Sequence, residues 1–361
     1  MMSSKGISGR IRRPYTIFVL ILLLMTLAAW LYLWTGLAAY EAGIPKNLMD
    51  HLVQSMEKEA REEGTCVDVL VKHGKDTPGL SAQENGVHLA NLIRDKEVSY
   101  QKISGWNGSG DMAYHILADG EEAAVVTLSA KEQGGILGLA LYQVDSLVGM
   151  RNLTVMAAPK VQVYAGDLLL TGEHLTDRDK IPEDLQDLAE YPENKVEIPQ
   201  YSVYSLEGLF WVPPIRGVDG SRSTDGIYVA SDCAVVGLPL DTELMEEVEE
   251  RAVTITHKYS HYMSDDLGWS GFKGYLVDTA PVYDRLRTLE VNWYTLHDSN
   301  RFENMELLDW IMYTDHLISL RMTYDYVVVG QGKVTTYDTD LTYYLALESD
   351  GKWRIAEMIV N

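Results

Sequence analysis

The chain has 361 residues, with 53 acidic against 30 basic side chains, a formal net charge of −23 and 46% hydrophobic residues. That charge excludes a surface built for nucleic acid or anionic lipid headgroups, both of which repel an acidic protein. The apolar content excludes a disordered chain and supplies enough material for two or three cores.

Residues 1–14 carry Lys5, Arg10, Arg12 and Arg13 and no acid, and residues 15–34 form an uncharged run of 20. As a helix that run spans about 30 Å, the hydrocarbon thickness of a bilayer. The basic flank before it and Glu41 after it predict a cytoplasmic tail over 1–14, a single transmembrane anchor over 15–37 and an extracytoplasmic body. A cleaved signal peptide, with Gly36, Leu37 and Ala38 at the cleavage position, is the competing reading. Against it stand the length of the run and the interface-seeking aromatics Tyr15, Trp30, Tyr32 and Trp34. The body keeps 26 basic and 53 acidic residues, net −27. Such a charge attracts cations or basic polymers, and it also keeps an exported surface soluble.

Residues 40–150 read as an α+β unit. Pro45 opens a helix whose Leu48, Met49, Leu52, Val53, Met56 and Ala60 share one face, and Gly64 ends it. A second helix is expected around 87–94, then strands over 112–118, 123–130 and 136–148, turned at Asp119-Gly120 and Gly134-Gly135. Residues 151–240, rich in Pro and Gly, read as a small β module and acidic linker. Short strands are expected at 153–156, 161–164, 168–170, 202–206, 227–230 and 234–236. Between Glu173 and Glu197, nine acidic residues stand against three basic ones, which predicts a solvated connector with one short helix around 183–190. Cys66 and Cys233 fall in different predicted domains and are expected to be free thiols. So few cysteines suit a bacterial cell surface better than a disulfide-built ectodomain.

Residues 241–361 carry the clearest pattern. Asp241 can cap a helix with apolar positions Leu244, Val248, Ala252, Ile255, Tyr259 and Tyr262, and with Glu243, Glu246 and Glu247 at its positive end. A second helix is expected over 278–289, with Pro281 in its first turn. Four strands follow at 305–313, 317–329, 334–347 and 353–360. Leu320, Met322, Tyr324, Tyr326 and Val328 alternate with Ser319, Arg321, Thr323 and Asp325, giving one apolar and one polar face.

The ending Leu341-Thr342-Tyr343-Tyr344-Leu345-Ala346-Leu347-Glu348-Ser349-Asp350-Gly351-Lys352-Trp353-Arg354-Ile355-Ala356-Glu357-Met358 resembles the final hairpin of the nuclear-transport-factor-2-like superfamily. That superfamily includes ketosteroid isomerase, scytalone dehydratase, polyketide cyclases and the N-terminal domain of some penicillin-binding proteins. The resemblance covers residues 241–361, and it touches 40–150 through the order of elements alone. The stretch Ala158-Pro159-Lys160-Val161-Gln162-Val163-Tyr164-Ala165-Gly166-Asp167-Leu168 looks like a β-hairpin segment common in exported Gram-positive proteins. The expected fold class is therefore α+β: an N-terminal transmembrane helix, then two cone-like curved antiparallel sheets with packed helices, joined by the β module.

His257 and His261, four apart on one helix and followed by Asp265 and Asp266, have the spacing of a zinc pair. Their helical position, in a polar stripe with Glu247, Glu250 and Thr254, predicts a solvated face, so neither a metal nor a cofactor is expected. An isomerase- or cyclase-type enzyme, the alternative that the resemblance offers, needs a base and an oxyanion donor in one dry cavity. Asp325, Asp338, Asp340, His297 and His316 are the available bases, none in a quotable catalytic motif. There are 22 Tyr against four Phe, and Tyr324, Tyr326 and Tyr343 are the candidate ligand-binding residues of a half-wet groove. Asn107-Gly108-Ser109 and Asn152-Leu153-Thr154 are glycosylation sequons in a eukaryotic host alone. The expected function is a non-catalytic, membrane-anchored binding or scaffolding element of the cell envelope. Its expected partners are the membrane through the N-terminal helix and an envelope or peptidoglycan-related partner, with no nucleic acid.

Overall fold

The computed structural model describes residues 8–74, 81–108, 110–131, 140–289 and 297–361. It divides into two compact units: residues 1–77, 81–150 and 208–211 form one, and residues 78–80, 151–207 and 212–361 the other.

In the first unit, helix α1 (Ser8–Ala42) contains Ile17–Ala42, a 26-residue stretch long and apolar enough to cross a membrane. Helix α2 (Pro45–Glu62) starts on Pro45, whose missing N–H is an orphan of the first turn in any case, and buries Met49, Leu52, Val53, Met56 and Ala60. Gly64, at φ +73°, closes it. Helix α3 (Val67–His73) follows. Helix α4 (Ala82–Ile93) begins well before the expected residue 87, because Ser81 accepts from the Glu84 N–H at 3.2 Å and donates to the Glu84 carboxylate at 3.0 Å.

Strands β1 (Val98–Lys102), β2 (Met112–Ala118), β3 (Glu121–Ala130) and β4 (Tyr142–Gly149) form an antiparallel sheet in that order. Asp119 and Gly120, at φ 54° and 85°, make the tight hairpin that the Asp-Gly pair predicts. The expected Gly134-Gly135 turn lies outside the described residues. Edge strand β1 escaped the pattern because none of its side chains is fully buried. Leu52, Met56, Leu89, Ile116, Val126 and Leu128 belong to one core with Cys66, to which Phe210 of the returning segment 208–211 contributes.

The second unit begins with β5 (Arg151–Ala157), β6 (Gln162–Ala165), β7 (Leu168–Leu169) and β8 (Leu175–Lys180). A 3₁₀ turn (Glu183–Leu185), helix α5 (Gln186–Glu190), β9 (Tyr201–Leu209), β10 (Ile215–Asp219), β11 (Arg222–Asp225), β12 (Ile227–Ala230) and β13 (Cys233–Val236) come next. These strands build two sheets, β11-β10-β6-β7 and β12-β13-β5-β9-β8; the first is antiparallel, and the second contains the parallel pair β13–β5. The acidic stretch is more ordered than a solvated connector. Its first part is strand β8, paired with β9, whose exposed outer positions tolerate the charge that suggested a linker.

Helix α6 (Thr242–Met263) is capped as expected, Asp241 Oδ1 accepting from the Leu244 N–H at 2.8 Å. Short helices α7 (Trp269–Phe272) and α8 (Pro281–Arg287) lead to an antiparallel meander of β14 (Ser299–Thr314), β15 (Leu317–Gly330), β16 (Lys333–Leu347) and β17 (Trp353–Val360). The sheet is open, with β14 and β17 as its edges. Strand β14 starts six residues before the expected 305. Register slips near Asn304 and Asp309, at φ 51° and 52°, break the two-residue alternation on which a sequence reading depends. Leu320, Met322, Tyr324, Tyr326 and Val328 are buried as predicted, but the other face is only partly wet: Ser319 is 2% exposed.

Candidate functional site

The face of the C-terminal sheet toward α6 is filled. Residues 256, 260 and 264 recur every four positions and so rise along one side of the helix. Thr256 donates to the Tyr343 hydroxyl at 3.3 Å, Ser260 pairs with Tyr324 at 2.8 Å and Ser264 with Tyr326 at 3.1 Å. Tyr324, Tyr326 and Tyr343 are therefore core residues at 2%, 0% and 0% exposure, not the walls of an open groove. The Thr-Ser-Ser spacing on α6 was the sequence signal for this ladder.

The histidine pair is only partly solvated. His257 and His261 are half-buried, with ring centroids 4.2 Å and 5.9 Å from that of Phe302, which in turn packs on Tyr324 and Tyr326. Phe302 on β14 supplies an aromatic surface that the wheel of α6 alone could not reveal. Burial first, then the neighbouring His261 and Lys258, push His257 below the usual imidazole range, so it is neutral at pH 7. His261 Nε2 lies 3.3 Å from Asn300 Oδ1. Asp266 is held by Ser264, His297 and Asn300 at 2.9 to 3.0 Å, while Asp265 is exposed. Among the described residues no group of three or more His, Cys, Asp or Glu side chains is placed to hold a metal ion.

The bases required by an isomerase do not converge on the tyrosines. Asp338 and His316 are exposed, and Asp325 accepts from Asn304 at 2.6 Å. Asp340 accepts two bonds from Arg321, at 2.9 and 2.6 Å, and one from Asn361 at 2.8 Å. The Arg321 guanidinium holds the Asp340 carboxyl below its ordinary range. A depressed folded-state value means stability that is present at neutral pH and is lost as pH falls through and below the usual carboxylate range. Asp340→Asn should therefore lower the urea midpoint at pH 7 by the equivalent of about 1 kcal/mol or less, since the pair is partly exposed. The difference from the parent should shrink as pH falls through and below the usual carboxylate range and the parent's own carboxyl takes up its proton.

The opposite face of the same sheet carries a cavity of about 660 Å³ whose walls include Tyr201, Tyr313, Tyr344, Ser319, Arg321 and Asp184. Tyr344 follows Tyr343 on β16 and so points the other way. Its hydroxyl donates to Asp184 at 2.7 Å, and Tyr313 and Ser319 share a hydrogen bond at 3.0 Å. The ring of Tyr313 lies 5.7 Å from that of Tyr201 and 5.8 Å from that of Tyr344. Burial pushes all three phenols above their ordinary range, so they stay neutral at any physiological pH. Arg321 is spoken for by Asp340 and, at 3.5 Å, by Asp309. This constellation was missed at the level of sequence. Tyr201 and Asp184 sit in the stretch read as module and linker, far along the chain from the strands they meet. Cys233, also lining the cavity, is half-buried and free, whereas Cys66 is free and fully buried.

No family model matches the chain, and no curated protein does. One solved structure to which the chain is similar is an "Ntf2 like protein involved in plasmid conjugation", at 11% identity over 82% of this chain and 86% of that one, with a TM-score of 0.24. Identity and score at this level fix neither fold nor function.

Proposed function

We propose that this chain is a non-catalytic binding or scaffolding element of the bacterial cell envelope, anchored by α1 with its N-terminus cytoplasmic and its body outside. In this reading the two α+β regions are cones of the nuclear-transport-factor-2-like kind. The order of α6 and the β14–β17 meander supports that for the C-terminal one. The basic residues ahead of the apolar helix support the orientation. The observation that carries the reading is the hydroxyl ladder. The space where a cone enzyme would keep its base and oxyanion donor is occupied by tyrosines bonded to Thr256, Ser260 and Ser264.

Two measurements test it. A photo-crosslinking residue in place of Val229, 57% exposed, should trap one defined envelope protein in intact cells. The purified protein should not accelerate deuterium exchange next to the carbonyl of a ketosteroid panel. Exchange that depends on the enzyme and is lost in Tyr324→Phe would replace the binding reading with the isomerase one.

A further inference from the structure

We propose that the cavity on the far face of the C-terminal sheet receives a basic peptide segment, which presents an arginine or lysine side chain to the carboxylates at its rim. The assignment rests on the body being a binding element and says what it binds. A volume of about 660 Å³ lies within the range of sites that enclose a small ligand or an inserted side chain.

Charge decides the sign of the occupant. Glu183, Asp184 and Asp309 line the cavity against one lining cation, Arg321, whose guanidinium is already matched by Asp309 and Asp340. Lys180 lies near Cys233, where it is opposed by Asp232. The balance stays negative, inside a body of net −27, and such a field draws cations in and turns anions away.

The walls suit the same occupant. The ring of Tyr228, 44% exposed, is available at the cavity's edge, and an aromatic face attracts a guanidinium or ammonium more strongly as water is excluded. The Tyr201, Tyr313 and Tyr344 phenols are buried against one another and form the closed floor beneath this rim. Glu183 is exposed and has no ion-pair partner among the described residues. Beside the cavity, β12 exposes Tyr228 and Val229 at 44% and 57%. This apolar shoulder favours a peptide, with flanking side chains to lay on it, over a free amine.

Cys233 provides the reporter, because it lines the cavity while the other thiol, Cys66, is fully buried. The full-length protein in detergent is alkylated with a maleimide in the presence of the peptide acetyl-Leu-Ala-Arg-Ala-Leu-amide or of its Glu-for-Arg counterpart. With a Kd of about 1 mM, the arginine peptide at about 2 mM should slow alkylation roughly threefold. The Glu183→Gln variant, changed at an exposed unpaired side chain, and Asp184→Asn, which can still accept from Tyr344, should each weaken that protection. Equal protection by the glutamate peptide, no protection up to about 10 mM, or full protection in both variants would overturn the assignment. If protection fails while the Val229 crosslink persists, the cavity assignment falls and the binding reading stands. Loss of both removes both.

Discussion

Trp353→Ala should cost roughly 3–5 kcal/mol and unfold most of the second unit's sheet, the largest single effect expected in the chain. Trp353 is 2% exposed and is the largest of the fully buried side chains. It opens β17 right after the Asp350-Gly351 turn, and its carbonyl accepts from Arg251 Nε of α6 at 2.7 Å. Truncation removes the ring and leaves a void between helix and sheet that neither rigid element can close. The indole N–H has no hydrogen-bond partner among the described residues, so the loss is one of packing. Trp353→Phe, which keeps most of the volume, should then cost about 1.5 kcal/mol or less. The measurement is amide exchange and thermal melting of the body from residue 43 on, not of residues 241–361 alone, because Tyr201 and Asp184 pack on Tyr313 and Tyr344. A Trp353→Ala protein whose β15 and β16 amides stay as protected as the parent's would show that this ring is not a keystone.

The burial of Trp353 was legible because a residue after a Gly turn, with Ile355 two positions on, can be placed on a face by period-two counting. The Asp241 cap, Pro45 and the Asp119-Gly120 hairpin were legible for the same reason: each is written in neighbouring residues. What failed to show were relations between distant residues. The α6 wheel put His257 and His261 in a polar stripe, and only the position of Phe302 on β14 makes that stripe half-buried. Tyr324 and Tyr326 were correctly assigned to one face, yet whether their hydroxyls and that of Tyr343 were free depended on Thr256, Ser260 and Ser264, of α6 and its C-cap, some 60 to 90 residues earlier. The cavity behind that sheet needs Asp184 and Tyr201 as well, from a stretch whose charge suggested a linker. Acidic side chains on one side of a short strand and in a single helical turn look like solvated chain until their pairing partner is known.

Gly149→Ala should destabilise the first unit by about 3 kcal/mol, a cost as invisible in sequence as the cavity. Gly149 ends β4, and its φ is not in the left-handed region, so nothing about its own backbone demands glycine. The demand comes from the returning segment. A Cβ at 149 would lie 2.1 Å from the Leu209 carbonyl oxygen and 2.4 Å from the Phe210 amide nitrogen, both backbone atoms. A flexible side chain could swing away from such a clash; a backbone cannot, and moving it would withdraw Phe210, 3% exposed, from the core it shares with Met56, Leu89 and Leu128. Gly172→Ala is the control, with nothing within 4 Å of the added atom and no positive φ, and should change stability by no more than about 0.5 kcal/mol. Hydrogen exchange separates the outcomes by unit. Amides of β3 and β4 should lose protection in Gly149→Ala, while those of β15 and β16 keep theirs. Unchanged exchange in β3 and β4 would mean that residues 208–211 are not clamped against the end of β4, and Phe210 would then have to be removed from the first unit's core.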